Sequence, residues 1–514
     1  MTTITHARPS LDGPPVGAPA PAVWGVRLAT GLGGVLVAAM MSGLNNRVGA
    51  LTLTDMSGGI GISSDAAQWA GTIYGAAELA AMPISAWFAG TFSFRRMHLG
   101  ITLVFLACAL LLPFAPSYGW LITLRAVQGF AGGAMIPLLM SAALRFLPPA
   151  IKLHGLGLYS LTATFAPNLA LWLAASWVDD LGDWRLIYWQ VVPVALFALG
   201  AVWWGIPQDP MRPERMREID WPALLTGPLG LALLAVALQQ GERLDWFNSP
   251  LILGLVLTGA ALLLIFLISE WSHHLPFIRL QLLGRRNIGL GLPLFIVMLL
   301  VISASSALPS TQLTQIHGFR PLQIAPIGLI ISIPQLLLAP LVSALLYWRK
   351  ADARLVASAG LLLMATGCWL GSRLTSDWMV AQFALAQACQ MVGQPMAIIS
   401  FLFLATSVAA PMEGQFVSGL VNMLVALAKI CGAVIVQRFL SQDSASYLNQ
   451  MTEASSGLID LPVDPGALLS RYRPEALTLA ISDLYLLVAL VAAALVVPTL
   501  LMTHIAPPQP APKD

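Results

Sequence analysis

Polar positions are sparse along this chain, and they fall at intervals that leave long apolar runs between them. A helix crossing the hydrocarbon core of a bilayer needs about 20 mostly apolar residues. Runs of that kind lie near 28–53, 67–90, 99–116, 118–143, 153–176 and 186–205, and a charged break, PQDPMRPERMREID, follows the sixth. Two more come near 221–240 and 251–271, then RLQLLGRRN, and a last six near 287–309, 322–347, 354–372, 378–406, 415–439 and 482–504. The pattern predicts an all-α membrane protein of fourteen transmembrane helices. The breaks divide it into an amino-terminal bundle of six helices (23–206), an inserted pair with its linkers (207–285) and a carboxy-terminal bundle of six (286–505). Tails at 1–22 and 506–514 flank these, and an outer loop is expected at 441–481.

Composition agrees and narrows the function. The chain is 57% hydrophobic and 10% charged with mean hydropathy +0.78, whereas a soluble domain carries about 25% charged residues. A dispersed net charge of +2 gives no footprint for nucleic acid. Cys108, Cys368, Cys389 and Cys431 sit inside apolar runs without metal-type spacing and read as small buried hydrophobes, so neither a metal site nor a cofactor is expected. The Pro/Ala-rich first 22 residues lack the compact apolar core of a signal peptide and read as a disordered tail. Fourteen closely spaced runs leave no room for a soluble catalytic domain, and no G-x-x-x-x-G-K-[ST] loop is present to cradle a nucleotide. An enzyme and an ATP-driven pump are thereby disfavoured, and an ion gradient remains as the energy source.

Lysine and arginine set the orientation. With the amino terminus inside, sixteen basic residues fall on inner segments and seven on outer ones, which predicts two cytoplasmic termini. Arg47, Arg125 and Lys429 remain within the spans, and Glu78 is the only carboxylate deep in any of them. Such a group costs roughly 2.5–3.5 kcal/mol on insertion scales and by default suggests a functional site. Arg125, Gln128 and Gly132 share one helix face, and Glu78 shares another with Gly71, Tyr74 and Gly75. A buried carboxylate near a cation is what a proton carrier needs; the plainer readings are a structural arginine on backbone carbonyls and a permanently paired glutamate. Arg47 can line a cavity or snorkel outward. Gln387, Gln390 and Gln394 form one polar stripe, and Gln415, Ser418, Asn422 and Lys429 another. Each stripe faces either a substrate cavity or a packing interface. His273 and His274 read as an interfacial turn. Trp24, Trp69, Trp120, Trp184, Trp221, Trp246, Trp271, Trp348 and Trp378 lie near run ends as an aromatic belt.

LRAVQGFAGG (from Leu124) resembles the fourth-helix signature of the major facilitator superfamily, and SSDAAQWAGTIYGAAELAAMPISAWFAG resembles the second helix of its fourteen-spanner drug:proton antiporter branch, the EmrB/QacA type. DWRLIYWQVVPVAL, GERLDWFNSPLI, RLQLLGRRNIGLG, GFRPLQIAPIGL and ADARLVASAGL fit as well, so the resemblance covers about 25–505. Three motifs depart from it. Asn45 and Arg47 stand where the first helix usually has L-D-x-T; GTFSFRRMH keeps Gly90 and Arg95 of the gating loop but loses its acid; FAPNLALW keeps only Pro167 of G-P-x-x-G-G.

The resemblance implies proton-coupled efflux of amphipathic small molecules across a lipid bilayer, with Arg125 in the proton-transfer machinery. With the first-helix acid gone, Glu78 is the expected proton carrier. Asn45, Tyr74, Gln128, Gln387, Gln390, Gln394, Asn422 and Lys429 are expected at the substrate cavity. Three deep cations against one acid favour weak acids or anions. A periplasmic adaptor protein and an outer-membrane channel are implied partners. Two alternatives stay open: a dedicated exporter of one metabolite, such as a siderophore or fatty acid, and a non-transporting membrane receptor or scaffold.

Overall fold

A computed structural model of the chain describes residues 24–148, 150–347, 351–407, 413–456 and 465–506. Fourteen long helices run through them: α1 Val26–Leu51, α2 Ser64–Phe92, α3 Phe94–Leu111, α4 Tyr118–Phe146, α5 Lys152–Ala175, α6 Val191–Gly205, α7 Trp221–Gly241, α8 Pro250–Ser272, α9 Arg286–His317, α10 Pro321–Tyr347, α11 Ala353–Gly371, α12 Ala384–Thr406, α13 Gly414–Ser456 and α14 Pro465–Ala494. Thirteen of them are long and apolar enough to span a bilayer; α2, which carries Asp65 and Glu78, is the exception. On α8, Leu253, Leu257, Leu264 and Ile268 are all exposed. Water would make that face costly; lipid does not. The tails at 1–22 and 507–514, and Trp348 with its basic neighbours, lie outside the described residues.

Helix neighbours repeat with an offset of eight. α1 packs on α4, α5 and α6 as α9 packs on α12, α13 and α14. The pairs α2–α4, α3–α4 and α3–α6 recur as α10–α12, α11–α12 and α11–α14. The halves meet through exchanged partners, α2 on α13 and α5 on α10, while α7 lies against α8 and α2. Small residues permit the closest crossings: a Cβ on Gly31 of α1 would lie 2.7 Å from the Gly205 carbonyl carbon on α6.

The stretch expected as a loop at 441–481 is instead helical at both ends. α13 continues to Ser456 and α14 begins at Pro465. SQDSASYLNQMTEASS contains neither Gly nor Pro, so nothing in it breaks a helix; its polarity marks only the end of the apolar layer. At 43 residues, α13 is about 65 Å long, roughly twice the hydrocarbon thickness. Tyr447 donates to the Asp483 carboxylate and ties the extended part to α14.

Candidate functional site

The site begins with two glycines. Gly129 and Gly133 on α4 face the backbone of Tyr74 and Glu78 on α2 so closely that a Cβ on either would collide with a carbonyl oxygen. This contact brings Arg125, one turn earlier on α4, against α2. Arg125 is 3% exposed. Its Nη1 donates to Gln128 Oε1 at 3.0 Å, its Nε reaches the Ala70 carbonyl at 3.5 Å, and its guanidinium stacks 4.3 Å from the Tyr74 ring centroid. Tyr74 is fully buried and bonds to Ser42 of α1 at 3.2 Å. No carboxylate touches Arg125 among the described residues.

Glu78 lies one turn below Tyr74 and is only half-buried. Its Oε2 accepts from Asn46 Nδ2 of α1 at 3.2 Å. Lys429 on α13, and then Arg125, act on it electrostatically, although among the described residues it forms no direct ion pair. Lys429 is exposed, and the acid it acts on belongs to the other half. Asn46 is partly accessible and Arg47 is exposed on the neighbouring face of α1.

Of the residues expected at the cavity, only Lys429 is exposed. Asn45, Tyr74, Gln128, Gln387, Gln390, Gln394 and Asn422 are all buried. Gln390 donates to the Met364 carbonyl at 3.0 Å and knits α12 to α11. Asn422 accepts from the Tyr159 hydroxyl at 2.6 Å and donates to the Ser418 carbonyl at 2.8 Å. Asn45, Gln387 and Gln394 keep buried polar atoms without a hydrogen-bond partner. Helical spacing fixes which residues share a face, but it does not say whether that face meets a cavity or another helix. Asn46, one position from the expected Asn45, is the residue that holds Glu78.

The end where α1 starts, rich in Arg and Lys, is sealed. Ser418 donates to the Pro137 carbonyl of α4. A Cβ on Gly419 would lie 3.2 Å from the Pro83 carbonyl oxygen of α2. Tyr347 accepts from the Leu153 amide at 2.9 Å, closing α10 on α5. All these contacts sit on the basic side of Glu78. Gly90, at the foot of α2, is crowded by Arg215 and Gln415, each 2.8 Å from its Cβ position. Arg95 stacks on Trp203 at 5.6 Å.

The linker after α6 docks on the turn between α2 and α3. Gln208 Nε2 donates to Ser93 Oγ at 3.0 Å, and the Arg212 amide to the Thr91 carbonyl at 2.9 Å. Asp209 takes both Arg145 nitrogens at 2.8 Å, a bidentate geometry favoured by guanidinium. Arg215 lies 5.0 Å from the Trp87 ring centroid; burial and then nearby Arg212 hold its pKa below the usual range. The sequence signal for this docking is the charged break itself, PQDPMRPERMREID, whose hydropathy marks only a boundary.

Comparison with known proteins agrees with this architecture. Residues 35–304 match the Major Facilitator Superfamily, more than half of the chain. The chain is 26% identical over 422 residues to the multidrug export protein EmrB of Haemophilus influenzae, covering 81% of each. It is 25% identical over 450 residues to the fatty acid resistance protein FarB of Neisseria gonorrhoeae, covering 86% of this chain and 85% of that one. Among solved structures, the peptide transporter POT superposes with TM-score 0.56 at 17% identity, covering 92% of this chain and 96% of that one, which shows a shared fold. With its fourteen helices, its exchanged contacts between halves and this match, the chain belongs to the major facilitator superfamily, a multi-pass family of membrane transporters.

Proposed function

We propose that the protein is a proton-coupled exporter of amphipathic small molecules in a bacterial inner membrane, with Glu78 as the proton carrier and the basic end cytoplasmic. One observation carries the reading: a half-accessible carboxylate sits at the middle of the least apolar helix, held by Asn46, with Lys429 acting on it from the other half. Alternating access moves one half against the other, so it changes the distance between Lys429 and Glu78. Unit charges 4 Å apart attract by roughly 4 kcal/mol at an effective dielectric of 20, enough to shift a carboxylate by about three pKa units. Closing the pair would expel a proton, and parting it would take one up.

The sealed basic end makes this an outward-facing arrangement. Lys429 and Arg125 favour a substrate with negative charge, and Asn45 leaves no first-helix acid for a cation. Similarity to proteins named for multidrug export supports efflux; similarity to one named for fatty acid resistance supports a dedicated exporter of such an acid as the second reading. An adaptor protein and an outer-membrane channel would receive the substrate at the far end, where α13 and α14 extend. The test uses everted vesicles with an imposed pH gradient. Glu78→Gln is expected to abolish uphill export while ligand binding persists. Near wild-type uphill transport by that variant places the coupling elsewhere.

A further inference from the structure

At the basic end, the chain between α8 and α9 folds across the foot of α13 and leaves a cavity of about 320 Å³. Its polar walls come from His273, His274, Arg279, Gln281, Arg285 and Glu413. The charges there are unevenly spent. Arg285 grips Glu413 through both nitrogens at 2.7 and 2.8 Å and so fastens the linker to the start of α13. His274 lies 3.3 Å from Glu218. Glu270, the buried acid beneath the linker, accepts the Phe277 and Ile278 amides at 3.2 and 2.7 Å, one on each oxygen, which bends the chain and leaves the cavity uncompensated. Arg279 makes no ion pair among the described residues; it stacks 4.5 Å from the Phe416 ring centroid.

The surroundings say what kind of anion would come here. Trp271 is 63% exposed and Leu283 40% exposed on either side of the linker. In a membrane chain such side chains meet lipid, and tryptophan favours the level where hydrocarbon gives way to headgroups. A soluble anion would gain nothing from those flanks, whereas a phospholipid would lay its acyl chains along them.

We propose that this cavity binds the headgroup of an anionic phospholipid, with Arg279 holding the phosphate and Gln281 and the two histidines around it. Basic pockets between membrane helices suit that chemistry. The bound lipid would also act on the seal. Arg279 rests on Phe416, within a turn of Ser418 and Gly419, which close α13 on α4 and α2. A phosphate on Arg279 would brace the foot of α13 in the sealed arrangement.

Native mass spectrometry of the full-length protein, released from micelles holding equal phosphatidylglycerol and phosphatidylcholine, tests this directly. The wild type is expected to retain phosphatidylglycerol preferentially. Arg279→Gln is expected to lower that adduct roughly fivefold and leave the phosphatidylcholine adduct unchanged. His273→Gln with His274→Gln, both near the surface and clear of the Phe416 stack, is expected to lower it by less, which keeps the test alive should Arg279→Gln misfold. Glycerol phosphate alone is expected to compete poorly. Undiminished phosphatidylglycerol in the variants, no preference in the wild type, or glycerol phosphate binding as tightly as the intact lipid would each overturn the assignment.

Discussion

The two six-helix halves pair their helices alike, yet their backbones come closest in different places. In the first half the tight contacts are α1 on α6, through Gly31 and Gly205, and α2 on α4, through Gly129 and Gly133. In the second the tight contact is α11 on α12. There a Cβ on Gly360 would lie 2.7 Å from the Ala397 amide nitrogen, and one on Gly393 would lie 2.7 Å from the Gly360 carbonyl oxygen. The counterpart of α2–α4 in the second half, α10–α12, is joined by an amide, Gln335 Nε2 donating to the Met391 carbonyl at 2.9 Å. Buried charge stands at only one of these contacts. Glu78 and Arg125 stand beside the α2–α4 contact, whereas Gln335, Gln390 and Gln394 occupy the matching helices. A repeated topology thus carries Glu78 and Arg125 in its first half and amides at the matching helices of its second, where the deep cation Lys429 lies instead on α13.

The largest expected effect is the asymmetry of function. Glu78→Gln should bring pH-driven uphill export to background, while Gln390→Ala, which removes a packing hydrogen bond, should cost only about 0.6 kcal/mol of stability and leave export intact. Loss of export in the Gln390 variant at normal expression would erase the distinction between the halves. Next comes the glycine contact. Gly133→Leu should lower stability by about 1–3 kcal/mol through overpacking, and should disturb the site as well. Gly393→Leu should show the stability loss with substrate affinity preserved, as thermal unfolding with and without ligand would reveal.

Lys429→Ala should weaken binding of weak acids by about ten- to a hundredfold, corresponding to roughly 1.5–3 kcal/mol for a hydrogen bond to a charged group, with neutral compounds much less affected. Equal losses for both classes would remove the case for anion preference. The smallest effect concerns the outer clasp of α7 on α13. Burial raises the Glu242 carboxyl, but hydrogen bonds from Ser441, Trp246 and Arg438 outweigh it and hold the pKa below its usual value. A depressed acid contributes stability above its unfolded pKa and loses it as pH falls through the folded value. Glu242→Gln should therefore flatten the loss of melting temperature between neutral and acid pH, by an amount corresponding to about 0.2–1 kcal/mol.

The helix count was legible because about 20 apolar residues per span is a one-dimensional requirement. Arg125 and Glu78 were legible for the same reason, since charge in an apolar run needs no partner to be noticed. Partners need three dimensions. Nothing in the spacing told Asn46 from Asn45, or showed that Asn422 would face Tyr159 of the other half. Asp209 lies 64 residues from Arg145, and no local pattern joins them. The helical flanks of 441–481 were hidden because hydropathy reports the membrane boundary, which is not where the helix ends.

That α2 is the least apolar of the fourteen bears on how the protein is made. A ribosome delivers α2 before α4, and the insertion machinery judges each segment by its apolarity as it emerges. A helix bearing Asp65 and Glu78 gains little by entering lipid alone. Its glycine partner arrives only with Gly129, some 50 residues later. The expected consequence is an order of assembly: α2 should settle stably as a membrane helix only once α4 is there to receive it.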